Sequence, residues 1–261
     1  MNNMGNKWYG YYNEYLNDEN ISNVLSFHNK TTWIISENNI PIVSNNKNSW
    51  IEENEGYNIT SLPQIPIDSI DLKPNHSPAN KGSYRKFTDT EISYECLSTL
   101  ISDCFCSNKG NFSRSYPSAG AMYSVTPLLY IFRSTSNLRS GVYVIDSINK
   151  KLLMINDTIS NQLKKAIHVS NKKEMLPSSY AIGYAVNINN AIGKYGVRGY
   201  RHALIESGAM AQSFRINCNK NNLGEFCSSA FEDFPLAYES GLNIKDFPII
   251  LIQWFGRIDD I

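Results

Sequence analysis

SRSYPSAGAMY, residues 113–123, sets Ser118, Ala119, Gly120 and Ala121 in a row directly after Pro117. Small side chains and open backbone amides let a flat ring approach the main chain closely. Arg114 adds a hydrogen-bond donor beside them. The apolar run from Leu128 to Arg133 that follows has strand character, so the stretch predicts a small-residue turn feeding a buried strand.

Working outward, Leu97, Leu100, Ile101 and Cys104 recur at helical spacing within Ser93 to Phe105. Past the strand, GVYVID and KLLMIN are separated by SINK and predict a hairpin. Ile159, Leu163 and Ile167 mark an amphipathic helix, and Tyr180 to Ile188 is rich in strand formers. Residues 200–222 contain no proline and cluster Ser207, Gly208 and Ala211 near the middle, which predicts a central, closely packed helix. PIILIQWF then predicts a last buried strand. Helices interleaved with antiparallel strand neighbours give an α+β fold, helices around a mainly antiparallel sheet. No GxGxxG follows a strand, so a Rossmann dinucleotide site has no support. Residues 1–78 differ from this pattern. They are rich in Asn and aromatics, with prolines in SLPQIPIDSIDLKPNHSP that deny a long helix, and are expected to form an extension to a domain over 79–261.

Lys and Arg together number 24, as do Asp and Glu, so no overall field recruits nucleic acid or an anionic membrane. Any anion site must be local. The start, MNNMGNKWYGYYNEYL, has no basic run followed by an apolar stretch, and no apolar run spans a bilayer, so a cytoplasmic protein is expected. Five cysteines without paired spacing indicate neither a disulfide framework nor a zinc site. The four histidines are scattered, and neither GxSxG nor HExxH occurs, which removes hydrolase and metalloprotease readings.

Three further constellations carry chemistry. In KGSYRKF, 81–87, Lys81, Ser83 and Arg85 alternate and share one side of an extended segment, a receptor suited to phosphate. In GKYGVRGYR, 193–201, a turn flanked by Gly193 and Gly196 can aim Lys194 and Tyr195 into one cleft. A partly desolvated amine beside a phenol forms an acid and base pair. Arg257 follows the last strand and can return to the same phosphate.

In this order, the motifs resemble the SagB-type (McbC-type) dehydrogenases of the nitroreductase superfamily, from Lys81 to Arg257. PSAGAMY with LLYIF is similar to that family's PSAGALY and strand, KYGVRGYRHALIESGAMAQSF to its lysine-tyrosine segment and central helix, and FHNKTTW to a short motif near its N-terminus. The resemblance implies a homodimer with FMN at the subunit interface. Lys81, Ser83, Arg85 and Arg257 would hold the phosphate. Arg114, Pro117, Ser118, Ala119 and Gly120 would approach the flavin, the turn in part from the partner subunit, with Ser228 and Ser229 near flavin N5. It also implies Lys194 and Tyr195 as the catalytic pair, oxidising thiazolines and oxazolines of a precursor peptide to thiazoles and oxazoles beside a cyclodehydratase and a docking protein. Ser124 stands where the family has proline, and Ser229 and Ala230 where it has glycines. Two alternatives stand beside this reading. One is a flavin oxidoreductase of the same fold acting on a nitro compound, quinone or carrier-bound intermediate. The other is a flavin-free scaffold using the aromatic residues Trp8, Tyr9, Tyr11, Tyr12 and Tyr15.

Overall fold

Leu128, Leu129, Tyr130 and Ile131 are all buried, yet successive residues enter different cores. Side chains alternate across a strand. Here both faces of the strand are covered, so it reads as a continuous apolar run instead of an alternating one. The computed structural model describes residues 16–31, 82–107, 113–169 and 176–259. These lie in one compact unit, Met1–Trp33 with Gly82–Ile261; a second unit, Ile34–Lys81, lies outside the described residues. So do Lys81 and the aromatic residues 8–15.

The helices, in chain order, are α1 (Asp18–Thr31), α2 (Tyr94–Phe105), α3 (Asn161–Ile167), α4 (Ile188–Tyr195), α5 (Val197–Lys220) and α6 (Asp233–Glu239). The strands are β1 (Val125–Ile131), β2 (Gly141–Asp146), β3 (Lys151–Asn156), β4 (Tyr180–Val186), β5 (Leu223–Ser228) and β6 (Ile249–Arg257). They form one sheet in the order β3-β2-β1-β4-β6-β5, with every neighbouring pair antiparallel. The α+β class read from the sequence is therefore what the chain adopts.

On one face, Leu129, Ile131, Ile182, Tyr184 and Phe255 meet Leu97, Leu100 and Ile101 of α2 and Met210, Phe214 and Cys218 of α5. On the other, Leu128, Tyr130, Ala181, Ala185, Ile252 and Trp254 meet Leu163 and Ile167 of α3 and Leu236 of α6. Helix α2 starts where its sequence indicates, the Ser93 hydroxyl capping the Cys96 N–H. One polar chain crosses the first core: the Tyr184 hydroxyl donates to Gln253 Oε1 (2.5 Å), Gln253 Nε2 donates to Glu225 Oε2 (2.6 Å), and Arg215 pairs with Glu225. Tyr184, Gln253 and Glu225 thereby each find a partner.

Three elements differ from the sequence reading. The segment 193–196 is not a glycine-flanked loop, because α4 runs through Lys194 and Tyr195 and stops at Gly196. There φ is 57° and ψ −148°, a conformation open to glycine. Strand β5 follows directly on the long helix, in a stretch where the sequence reading names no strand, and β1 begins at Val125, ahead of Leu128. Part of the expected extension is core structure. Helix α1 buries Val24 and His28, and the Tyr200 hydroxyl on α5 hydrogen-bonds with His28 Nδ1 (2.7 Å) while His28 Nε2 lies 3.6 Å from Asp233 Oδ1 on α6. Burial lowers the His28 pKa and so favours the neutral ring.

Candidate active site

The 113–123 segment forms the expected turn, a single 3-10 turn over Ala119–Ala121. It is strained: Gly120, Ala121 and Tyr123 all have positive φ, at 58°, 56° and 46°. Non-glycine residues held there cost about 1–3 kcal/mol each and persist only where surrounding contacts fix them. Those contacts are specific. The Ser118 hydroxyl donates to Glu206 Oε2 of α5 (2.5 Å) and accepts from the Tyr123 N–H (2.8 Å). Glu206 Oε1 accepts from the Val125 N–H (3.0 Å). The Arg114 guanidinium stacks 4.1 Å above the Tyr123 ring and donates to the Tyr116 hydroxyl (3.0 Å), so in this chain it braces the turn. Glu206 is 4% exposed, and burial raises its carboxyl above the ordinary value despite the hydrogen bonds from Ser118 and Val125.

The turn sits on the lysine-tyrosine pair. Lys194 Nζ donates to the Gly120 carbonyl (3.4 Å). A Cβ added at Gly120 would lie 2.5 Å from Lys194 Nζ and closer still to the Tyr195 hydroxyl. The chain holds α4 there from both ends. The Asn187 N–H, at its N-cap, donates to the Ser124 carbonyl (2.8 Å). At its C-terminal end Gly199 of α5 packs so tightly that a Cβ would overlap the Ala191 carbonyl. His202 packs edge-on against Tyr195, ring centroids 5.2 Å apart. The turn that carries Pro117, Ser118 and Ala119 therefore meets Lys194 and Tyr195 at Gly120. Two members of this cluster, Glu206 and His202, were not assigned a role from sequence. Glu206 could have been found: it falls on the same helical face as the buried Ala203, Ser207 and Met210.

The other candidates lie elsewhere in the protomer. Ser228 ends β5, and Ser229 and Ala230 follow it. The pairings Val125↔Val186, Ala185↔Ile249 and Ser228↔Ile252 place this turn at the same end of the sheet as Ser118. It is three strands away across β4 and β6, about 14 Å at ~4.8 Å per strand. Ala230, which stands where the family has glycine, does not have positive φ and so carries no left-handed strain, and its N–H donates to the Ser228 hydroxyl (3.2 Å).

Ser83, Arg85 and Arg257 lie at the opposite end. Gly224 and Gly256 pair across β5 and β6, and a Cβ at either would strike Tyr84 or Phe87. This bare patch lets the segment carrying Ser83 and Arg85 cross the sheet, with the Tyr84 N–H donating to the Glu225 carbonyl (3.0 Å) and the Thr88 N–H to the Arg257 carbonyl (2.9 Å). The Arg85 guanidinium stacks over Phe226 at 5.6 Å. Arg257 is the last residue of β6.

The sequence pattern of the nitroreductase family matches residues 79–257. The microcin B17-processing protein McbC of Escherichia coli is 25% identical over 199 residues, 74% of this chain and 73% of McbC. A protein of Methanocaldococcus jannaschii is 22% identical over 197 residues, 75% of this chain and 96% of that one. Among solved structures, the E. coli microcin synthetase McbBCD complex with truncated pro-MccB17 bound contains a chain that superposes at a TM-score of 0.79 and 22% identity, covering 95% of this chain and 97% of that one. The antiparallel sheet between two helical layers and the pattern matched from the crossing segment through Arg257 agree: the chain belongs to the nitroreductase family.

Proposed function

We propose that this chain is an FMN-dependent dehydrogenase that oxidises thiazoline and oxazoline rings of a ribosomally made precursor peptide to thiazoles and oxazoles. The observation that carries the reading is the strained turn at Gly120 seated on Lys194 and Tyr195, within a family fold whose relatives here include a microcin-processing protein. The likeness to a chain of the McbBCD complex, solved with pro-MccB17 bound, supports a peptide substrate and partner subunits, among them a cyclodehydratase and a docking protein.

The residues present fit FMN. Arg85 and Arg257 stand at one end of β5 and β6, with Ser83 on the same segment as Arg85, residue types suited to holding a phosphate. From there β5 runs six residues, about 17 Å at ~3.3 Å per residue, to Ser228, so Ser228 and Ser229 would stand toward the ring end of the bound group. Lys81 would join the phosphate set. Bound FMN would accept the hydride released when the ring aromatises. The chain supplies the proton chemistry. Lys194 takes the proton from the ring carbon as a base, its Nζ oriented by the Gly120 carbonyl, and the Tyr195 hydroxyl beside it orients or relays that proton.

A homodimer completes the reading. The outer face of α5 exposes Val197, Leu204, Ile205 and Ile216, and a Cβ at Gly208 would meet open space, so a second copy can approach closely there. The test is mass spectrometry of an azoline peptide incubated with the FMN-loaded protein. Loss of one hydride and one proton per ring is expected, abolished in Lys194→Ala and Tyr195→Phe variants that retain FMN. Full oxidation by those variants, or a protein unable to take up FMN, overturns the proposal.

A further inference from the structure

We infer that Glu206 is a positioning residue that sets the location of Lys194 Nζ by locking the turn between Ser118 and Ser124. The carboxyl is buried on the inner face of α5 and both its oxygens are spent on this turn, one on the Ser118 hydroxyl and one on the Val125 N–H. Ser118 passes the constraint on, since its Oγ also accepts from the Tyr123 N–H and its carbonyl from the Ala121 N–H (3.1 Å). The residues between these anchors are the ones with left-handed φ, a conformation the chain does not hold unaided. Gly120 stands at the crest of that arc, and its carbonyl is the acceptor for Lys194 Nζ. The Ser124 carbonyl closes the circuit by accepting from the N-cap of α4, the helix that carries Lys194. Glu206 reaches the lysine through three linked contacts and touches neither Lys194 nor Tyr195 itself. Burying a carboxyl is costly unless its oxygens are hydrogen-bonded, and here both are, to groups of this turn.

This role rests on Lys194 being the base, but its test does not. The full-length apoprotein is labelled with acetic anhydride across a pH series, and each lysine is read by peptide mass spectrometry. In Glu206→Ala and in Ser118→Ala, loss of the fixed carbonyl acceptor raises acetylation of Lys194 by about threefold or more at neutral pH. Lys151 on the hairpin and Lys164 on α3 stay unchanged and report that the fold is intact. The double variant exceeds Glu206→Ala by no more than error, because both act through one chain of contacts. Lys194 labelling equal to wild type in Ser118→Ala, with the two control lysines unchanged, overturns the inference. That variant decides the matter even if Glu206→Ala fails to fold. In the FMN-loaded enzyme with an azoline peptide, Ser118→Ala lowers kcat about tenfold with KM unchanged. A wild-type enzyme inactive on azolines would defeat the functional reading, while the labelling result would still stand or fall alone.

Discussion

Gly120→Ala separates the turn's role in folding from its role at the site. The added methyl would lie 2.5 Å from Lys194 Nζ, where ordinary contact begins at 3.4 Å, so the lysine and tyrosine ends have to retreat by about 1 Å. Both are the far ends of flexible side chains, so the fold accommodates the methyl and the displacement falls on the chemistry. The backbone adds its own cost. At φ 58° an alanine costs about 1–2 kcal/mol relative to glycine, which for a unit of this size lowers Tm by roughly 2–8 °C. A 1 Å misplacement of reacting groups costs on the order of 100-fold in rate. The expected variant is thus folded and takes up FMN, melts a few degrees lower, and oxidises an azoline peptide about 100-fold more slowly. Calorimetry, flavin absorbance and single-turnover mass spectrometry read these three quantities. Oxidation within threefold of wild type would refute the placement of Gly120 against the pair.

Other consequences follow from the packing. Because the folded protein holds His28 below its ordinary pKa, stability from that site is complete above about pH 6.5 and is lost as pH falls. Urea unfolding at pH 7.5 and 5.5 should show that loss, and His28→Gln should reduce the slope. Arg215→Ala strands the Glu225 carboxylate, only 2% exposed, and should cost about 3–5 kcal/mol in denaturant unfolding; under 1 kcal/mol would mean that Gln253 alone satisfies it. Ile205 is 65% exposed in the protomer, so Ile205→Asp should leave the monomer fold intact by circular dichroism while shifting a dimer to monomers in light scattering.

The sequence made the site's parts legible where local physics dominates. Proline followed by small residues fixed the turn at 117–121, and helical spacing of Leu97, Leu100 and Ile101 located α2. What stayed hidden has physical causes. Helix α1 buries only Val24 and His28, so its sequence shows almost no apolar period. Strand β5 is disguised by Gly224 and Glu225, residues that look wrong for a core until Tyr84 covers the first and Arg215 and Gln253 satisfy the second. Helix α6 carries Pro235, tolerated in the first turn where its missing N–H would have had no partner. Glu206 escaped because a carboxylate on a buried face reads as an error until its acceptors' partners, 81 and 88 residues away, are known.

The distribution of candidates over the sheet makes a prediction about assembly. Ser83, Arg85 and Arg257 stand at one end, Gly120, Lys194 and Tyr195 at the other, and β6, nine residues long, spans about 26 Å between them at ~3.3 Å per step. The turn is also displaced by three strands from β5, along which the mononucleotide would lie. If each site takes its phosphate half from one copy and its turn and lysine from the other, two differently damaged chains can rescue each other. An Arg85→Ala chain and a Lys194→Ala chain are each inactive alone. Co-refolded in equal amounts, half of the dimers are mixed, and each mixed dimer holds one site with both halves intact, giving about a quarter of wild-type activity. If a site were built from one chain, every site in the mixture would carry one damaged half and nothing would be recovered. Activity in the mixture thus measures directly whether the two ends of this sheet serve the same reaction centre or different ones.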